Sequence, residues 1–125
     1  MAKILVIDDD PAVLRSLKSM LEKGGHQAAV AENGLIGVKL LTAERFAVVI
    51  CDLFMPVQDG METIQKIREV DARVPIIAIS GAFVHDDRSP LQDARLLGAD
   101  AAIAKPFTLA ELLDTVEDTL DRGQA

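Results

Sequence analysis

The chain has 125 residues, which is the size of one domain and allows a single hydrophobic core. Half of the residues are hydrophobic, but aromatic residues make up only 3% and all of them are Phe, so aliphatic side chains must fill that core. The formal charge of −7 argues against direct binding to nucleic acid or to an anionic membrane, because phosphates attract Lys and Arg. Cations and other proteins are the expected partners.

Cys51 is the only cysteine, which excludes an internal disulfide, and its position within an apolar run favours a small buried thiol. Such cysteine usage fits a reducing cytoplasm. No apolar stretch approaches the roughly 20 residues that a membrane-spanning helix needs. The first residues lead directly into a predicted strand rather than into a signal peptide. We therefore expect a cytoplasmic protein without a membrane partner.

Strand-like and helix-like segments alternate along the chain. Five short apolar runs predict β-strands, at residues 4–7, 27–31, 46–51, 74–79 and 101–104. An amphipathic stretch follows each run, and the predicted helices begin at Pro11, after Gly34, at Gly60, at Pro90 and at Leu109. In the second and third of these helices, Leu35 and Val70 are expected to face inward as part of the apolar stripe.

Capping residues support these boundaries. Asp10 before Pro11 is typical of an N-cap followed by the first helical residue, which assigns Asp10 to a cap rather than to a ligand set. Gly24-Gly25 is typical of a helix end. Two capping boxes, at residues 89–92 and 108–111, mark the starts of the last two helices.

The five strand–helix pairs predict a doubly wound α/β fold, with a five-stranded parallel sheet and five helices on its two faces. In such sheets, ligands bind at the carboxyl ends of the strands. The distinctive polar side chains fall at four of those ends: Asp8 and Asp9, Asp52, Ser80, and Lys105. Asp52 taken alone could simply end a strand, but the convergence of four strand ends favours a functional site.

The predicted site has the chemistry of phosphoryl transfer. Its three carboxylates require a proton or a cation, since two unit charges ~4 Å apart repel by on the order of 4 kcal/mol at an effective dielectric of about 20. Oxygen ligands without a nearby His or Cys favour Mg²⁺ over a transition metal. Lys105 supplies a positive charge, Ser80 supplies a hydroxyl, and a carboxylate can act as the nucleophile.

Four segments in combination resemble the receiver domain of bacterial two-component response regulators, over nearly the whole chain. They are residues 4–11 (ILVIDDDP), 52–60 (DLFMPVQDG), 79–81 (ISG) and 98–107 (GADAAIAKPF). The resemblance implies a flavodoxin-like fold with strand order 2-1-3-4-5, and one receiver domain over residues 1–125 with no output domain. It also implies a cis peptide bond between Lys105 and Pro106.

The resemblance implies a role for each site residue. Asp52 would accept a phosphoryl group from a histidine kinase or a histidine phosphotransfer protein. The Mg²⁺ ligands would be Asp8, Asp9, Asp52 and the backbone carbonyl of Phe54. The phosphoryl group would be contacted by Ser80, Gly81 and Lys105. The chain would catalyse its own phosphorylation and slow dephosphorylation, and would signal by binding a downstream protein.

Three features bear on how such a switch works here. Ala102 stands three positions before Lys105, where the family usually carries Tyr or Phe. The segment between Ser80 and Lys105 is about three residues longer than is typical. Phe54 and Ala82, each two residues after a site residue, offer no polar side chain to orient a water, so we expect slow loss of the phosphoryl group.

Two other functions remain open on the sequence. The order Asp8-x-Asp10, Ser80 and Lys105 imitates a haloacid-dehalogenase-like phosphatase, but that function leaves Asp52 without a role and lacks a late acidic pair. A receiver-like adaptor that never takes a phosphoryl group is suggested by Ala102 and the longer loop. The complete acidic pocket with Lys105 argues against it.

Overall fold

The computed structural model describes residues 2–52, 60–80 and 98–123. The strands in these ranges are β1 Lys3–Ile7, β2 Gln27–Ala31, β3 Val48–Asp52, β4 Ile76–Ser80 and β5 Ala101–Ala104. The helices are α1 Pro11–Lys23, α2 Gly34–Ala43, α3 Gly60–Val70 and α4 Leu109–Gly123. The helix predicted to begin at Pro90 lies outside the described residues.

All five strands pair in parallel in the order β2-β1-β3-β4-β5, as predicted. The fold is therefore the doubly wound, flavodoxin-like arrangement. Two strand boundaries differ from the prediction by two residues. Phe46 is buried before β3 begins, and Pro75, which has no N–H to donate to the ladder, precedes β4. The apolar residues before β3 and β4 thus indicated burial, and they did not indicate where strand pairing begins.

The core lies on both faces of the sheet because consecutive strand residues point to opposite sides. On one face, Leu5 and Val49 pack with Leu41 of α2 and Ile64 of α3. On the other face, the buried residues come from β1, β3, β4 and β5 together with α1 and α4. Within the described ranges, no helix is both long enough and apolar enough to cross a bilayer.

Two predicted inward positions are wrong. Leu35 is 55% exposed and Val70 is 43% exposed. In α2 the buried residues are instead Gly34, Gly37 and Leu41. Gly37 lies so close to β1 that a Cβ there would be 2.8 Å from Cγ1 of Ile7. Helix α2 therefore approaches β1 closely at Gly37, and Leu35 lies on the solvent side of the helix.

Candidate functional site

The acidic residues meet at the carboxyl edge of the sheet because their strands are neighbours. Asp8 directly follows β1, and Asp52 is the last residue of β3. The register pairs Ile7 with Cys51, so Asp8 and Asp52 occupy adjacent positions on the two central strands. Both aspartates are buried, at 1% and 5% exposure, whereas Asp9 is exposed. The carboxyl edge of the sheet thus brings two buried carboxylates and one exposed carboxylate together in an acidic pocket.

Local hydrogen bonds hold the Asp8 segment in place. The Asp8 N–H donates to the Ala31 carbonyl of β2 at 3.1 Å. Oδ1 of Asp8 accepts from the Asp10 N–H at 2.9 Å. Asp10 in turn caps α1 by accepting from the Ala12 N–H at 2.9 Å, which confirms its prediction as a helix cap. The side chain of Asp8 is therefore oriented by the start of the helix that follows it.

Lys105 brings a cation to the two buried carboxylates. It follows β5, and its Nζ lies 3.4 Å from Oδ2 of Asp52 and 3.8 Å from Oδ2 of Asp8. The Lys105 side chain is one-third exposed, at 34%, so water screens part of its interaction with the two carboxylates. The peptide bond between Lys105 and Pro106 is cis, as expected.

Burial and charge both act on Asp8. The pKa of the Asp8 carboxyl is raised from 3.8 to about 6, and the largest cause is its removal from water. The Asp10 N–H opposes this rise, the negative charge of Asp52 adds to it, and Lys105 again lowers the pKa. A side-chain hydrogen bond with Asp52 also favours the protonated form. One carboxyl of this pair therefore holds a proton more readily than an ordinary aspartate does.

The acidic pocket fits a hard divalent cation. One carboxylate oxygen from each of Asp8, Asp9 and Asp52 lies within 4.8 Å of the others. Oδ2 of Asp8 is buried and accepts no hydrogen bond from the described part of the chain. A buried carboxylate oxygen without a donor is costly unless a cation or proton completes it. An all-oxygen ligand set of carboxylates suits Mg²⁺.

The remaining predicted site residues are placed only in part. Ser80 ends β4 and pairs with Ala104, the residue before Lys105. The carbonyl of Phe54 and Gly81 lie outside the described residues. Of the two histidines, His85 also lies outside them. His26 is buried at 7% exposure, accepts a hydrogen bond from the Ala2 N–H and contacts Glu117, which gives it a structural role.

Comparison with known proteins identifies the same family that the sequence motifs resemble. The sequence model described as "Response regulator receiver domain" matches residues 4–117. The transcriptional regulatory protein PrrA of Mycobacterium tuberculosis is 37% identical over 120 residues, which are 96% of this chain and 50% of PrrA. The chain thus spans about half the length of the first curated relatives it matches.

Two other proteins match nearly from end to end. Sporulation initiation phosphotransferase F of Bacillus subtilis is 30% identical over 118 residues, covering 94% of this chain and 93% of that protein. The solved structure of a response regulator receiver domain protein from Clostridium thermocellum superposes with a TM-score of 0.88 and 29% identity, over 99% and 98% of the two chains. With the acidic pocket and Lys105 in the same fold, the chain belongs to the response regulator receiver domain family.

Proposed function

We propose that this chain is a phosphorylation-dependent signalling switch in which Asp52 accepts a phosphoryl group from a histidine kinase or a histidine phosphotransfer protein. The observation that carries the proposal is the 3.4 Å contact between Nζ of Lys105 and Oδ2 of Asp52 within the acidic pocket. Phosphoryl transfer needs a nucleophilic carboxylate, a binding site for a cation, and a positively charged side chain that pairs with the phosphoryl oxygens.

In the proposed transfer, a carboxylate oxygen of Asp52 attacks the phosphorus of phosphohistidine. The new O–P bond forms as the P–N bond breaks, and the electron pair of that bond returns to the imidazole, which takes up a proton. Lys105 pairs with the phosphoryl oxygens. Asp8, Asp9 and Asp52 would hold Mg²⁺, which supplies charge neutralisation for those oxygens when bound.

Phosphorylation would signal by changing charge at a fixed point in the sheet. An aspartyl phosphate carries more negative charge than Asp52 and adds acceptor oxygens. Lys105 and Ser80 lie at the ends of adjacent strands, so contacts with the phosphoryl group would bias the face beyond β4 and β5 toward one of two arrangements. A downstream protein that binds one arrangement better would read the signal.

The aspartyl phosphate would hydrolyse slowly. Attack of water on phosphorus would release inorganic phosphate and restore the Asp52 carboxylate. Phe54 and Ala82 supply no polar side chain to orient that water.

The proposal includes a cytoplasmic location, with which the free, buried thiol of Cys51 is compatible.

Incubation with Mg²⁺ and phosphoramidate, followed by intact-mass measurement, tests the proposal. We expect a single phosphoryl adduct on the native chain and none on Asp52→Asn. Asp10→Asn is the matched control, because it removes a neighbouring charge and keeps the helix cap, and it should retain the adduct. An adduct lost with Asp8→Asn but kept by Asp52→Asn would favour the haloacid-dehalogenase-like phosphatase. No adduct on the native chain would favour the adaptor.

A further inference from the structure

Arg68, in the last turn of α3, joins three chain segments at the amino ends of β4 and β5. Its Nε and Nη2 donate to the Gly98 carbonyl at 3.1 and 2.6 Å. Its Nη1 donates to the carbonyls of Ala72 and Val74 between α3 and β4. Nη2 also donates to Oδ2 of Asp100 at 3.0 Å. An arginine in the last turn of an amphipathic helix is ordinarily a solvated residue, so the sequence pattern gives no sign of this role.

Asp100 connects Arg68 to the hydrogen-bond ladder between β4 and β5. The same Oδ2 that accepts from Arg68 accepts from the Ile76 N–H at 2.8 Å. The Asp100 N–H donates to the Ile76 carbonyl, also at 2.8 Å. These contacts lie immediately before the first paired residues of the two strands, Ile77 and Ala101. Asp100 therefore fixes where β5 begins against β4.

Gly98 allows the carbonyl contact with Arg68. Its φ of +103° lies in the left-handed region that favours glycine, so a residue with a side chain would be strained in the backbone conformation that presents this carbonyl. We name the group formed by Arg68, Gly98 and Asp100 the strand clasp. It consists of side chains and backbone on the edge of the sheet opposite to the acidic pocket.

The register of β5 connects the strand clasp to Lys105. Four residue pairs separate it from Lys105, from Ile77 with Ala101 to Ser80 with Ala104. A slip of one residue would move Lys105 by about 3.3 Å along the sheet and would exchange the two faces of β5. The 3.4 Å contact between Lys105 and Asp52 requires the observed register.

We propose that Arg68 and Asp100 are positioning residues that hold Lys105 at the phosphoacceptor by fixing β5 against β4. The proposal rests on the proposed function of Asp52 for its activity readout. Arg68 also belongs to the helix that follows the Asp52 segment. The strand clasp thus joins the chain segment leaving Asp52 to the strand leading to Lys105.

A double-mutant cycle with Arg68→Gln and Lys105→Ala tests the proposal. The rate of Asp52 phosphorylation by phosphoramidate should fall about tenfold with Arg68→Gln when Lys105 is present, because a displaced catalytic group loses its geometry. In the Lys105→Ala background, Arg68→Gln should change the rate by less than about twofold. An equal fall in both backgrounds, or an unchanged rate in the native background, would overturn the proposal.

Two controls separate positioning from a loss of stability. Leu17→Val changes a buried residue of α1 and should lower stability while leaving the phosphorylation rate unchanged. Asp100→Asn keeps an oxygen for the Ile76 N–H and should retain more of the rate than Asp100→Ala. Equal losses for the two Asp100 variants would contradict a role in fixing the register.

NMR tests the position of Lys105 without any phosphorylation reaction. The ¹³Cε and ¹⁵Nζ shifts of Lys105 should change on Asp52→Asn in the native background, and this change should be lost with Arg68→Gln. Persistence of the full change in the Arg68→Gln chain would refute the positioning role. A native chain that shows this coupling but accepts no phosphoryl group would refute the proposed function and leave the positioning role supported.

Discussion

Nζ of Lys105 lies 3.4 Å from Oδ2 of Asp52, although 53 residues separate them in the chain. The pair joins the carboxyl ends of β5 and β3, which are separated in the sheet by β4. The second carboxylate near the ammonium, Asp8, is 3.8 Å away. The Lys105 ammonium therefore neutralises the same carboxylates that would bind Mg²⁺. A bound Mg²⁺ and the ammonium would repel each other.

Replacing Lys105 should strengthen Mg²⁺ binding while weakening phosphorylation. Lys105→Ala removes a positive charge from beside two proposed ligands, and we expect severalfold tighter Mg²⁺ binding, an effect that the partial exposure of the ammonium moderates. Isothermal titration calorimetry measures this directly. Lys105→Arg is the matched control because it keeps the charge, and it should show no such gain. Similar tightening in both variants would contradict the electrostatic explanation.

The stability of the metal-free chain should fall as pH rises through the titration of Asp8. The folded chain holds this proton with a pKa of about 6, compared with 3.8 for the ordinary carboxyl. The stabilisation is therefore fully present below pH 3.8 and is lost as pH rises through about 6. Since one pKa unit corresponds to about 1.4 kcal/mol, the loss should not exceed about 3 kcal/mol.

Urea unfolding in the presence of a chelator, at several pH values from 4 to about 7, measures this loss. Asp8→Asn should reduce the pH dependence, whereas Asp10→Asn, which alters an exposed cap, should keep it. Mg²⁺ added near pH 7 should raise the free energy of unfolding of the native chain, because it binds the ionised carboxylates. A slope unaffected by Asp8→Asn would show that another group is responsible.

A polar side chain at position 54 should shorten the lifetime of the phosphorylated form. We expect Phe54→Asn to speed the decay about tenfold or more, because an amide can orient the attacking water. Phe54→Leu keeps the position apolar and should decay like the native chain. The measurement is the loss of the phosphoryl adduct by mass after removal of the phosphodonor. Equal decay in all three chains would refute this account of slow hydrolysis.

The close packing of α2 on β1 should make Gly37 intolerant of a side chain. A Cβ at this position would lie 2.8 Å from Cγ1 of Ile7, which is 1% exposed and has little room to move. Gly37→Ala should lower the free energy of unfolding by about 1–2 kcal/mol, since overpacking outweighs the better helix propensity of Ala. Chemical denaturation measures this change.

The matched control for Gly37→Ala is Ile36→Ala, on the same helix at a residue that is 40% exposed. It should change the free energy of unfolding by less than about 0.5 kcal/mol. A Gly37→Ala chain as stable as the native one would mean that α2 can move away from the sheet at little cost.

The amino-acid sequence was sufficient to predict the order of the described strands and helices and the convergence of acidic and basic residues at one sheet edge. Alternation of short apolar runs with capped amphipathic stretches predicts parallel strands, whose carboxyl ends share one edge. That topology was sufficient to bring Asp8, Asp52 and Lys105 together before any distance was known. The β2 and β5 bounds were also correct, because turn or capping residues flank both strands.

Features that depend on distances between remote segments could be read only from the folded chain. Helical periodicity gives the direction of a side chain but not how near the helix axis comes to the sheet, so the exposure of Leu35 could not be predicted. Whether Oδ2 of Asp8 accepts a hydrogen bond depends on which donors reach it, and none of the described residues supplies one. The contact of Arg68 with Asp100 links residues 32 apart through a side chain whose local pattern is that of an ordinary helix surface.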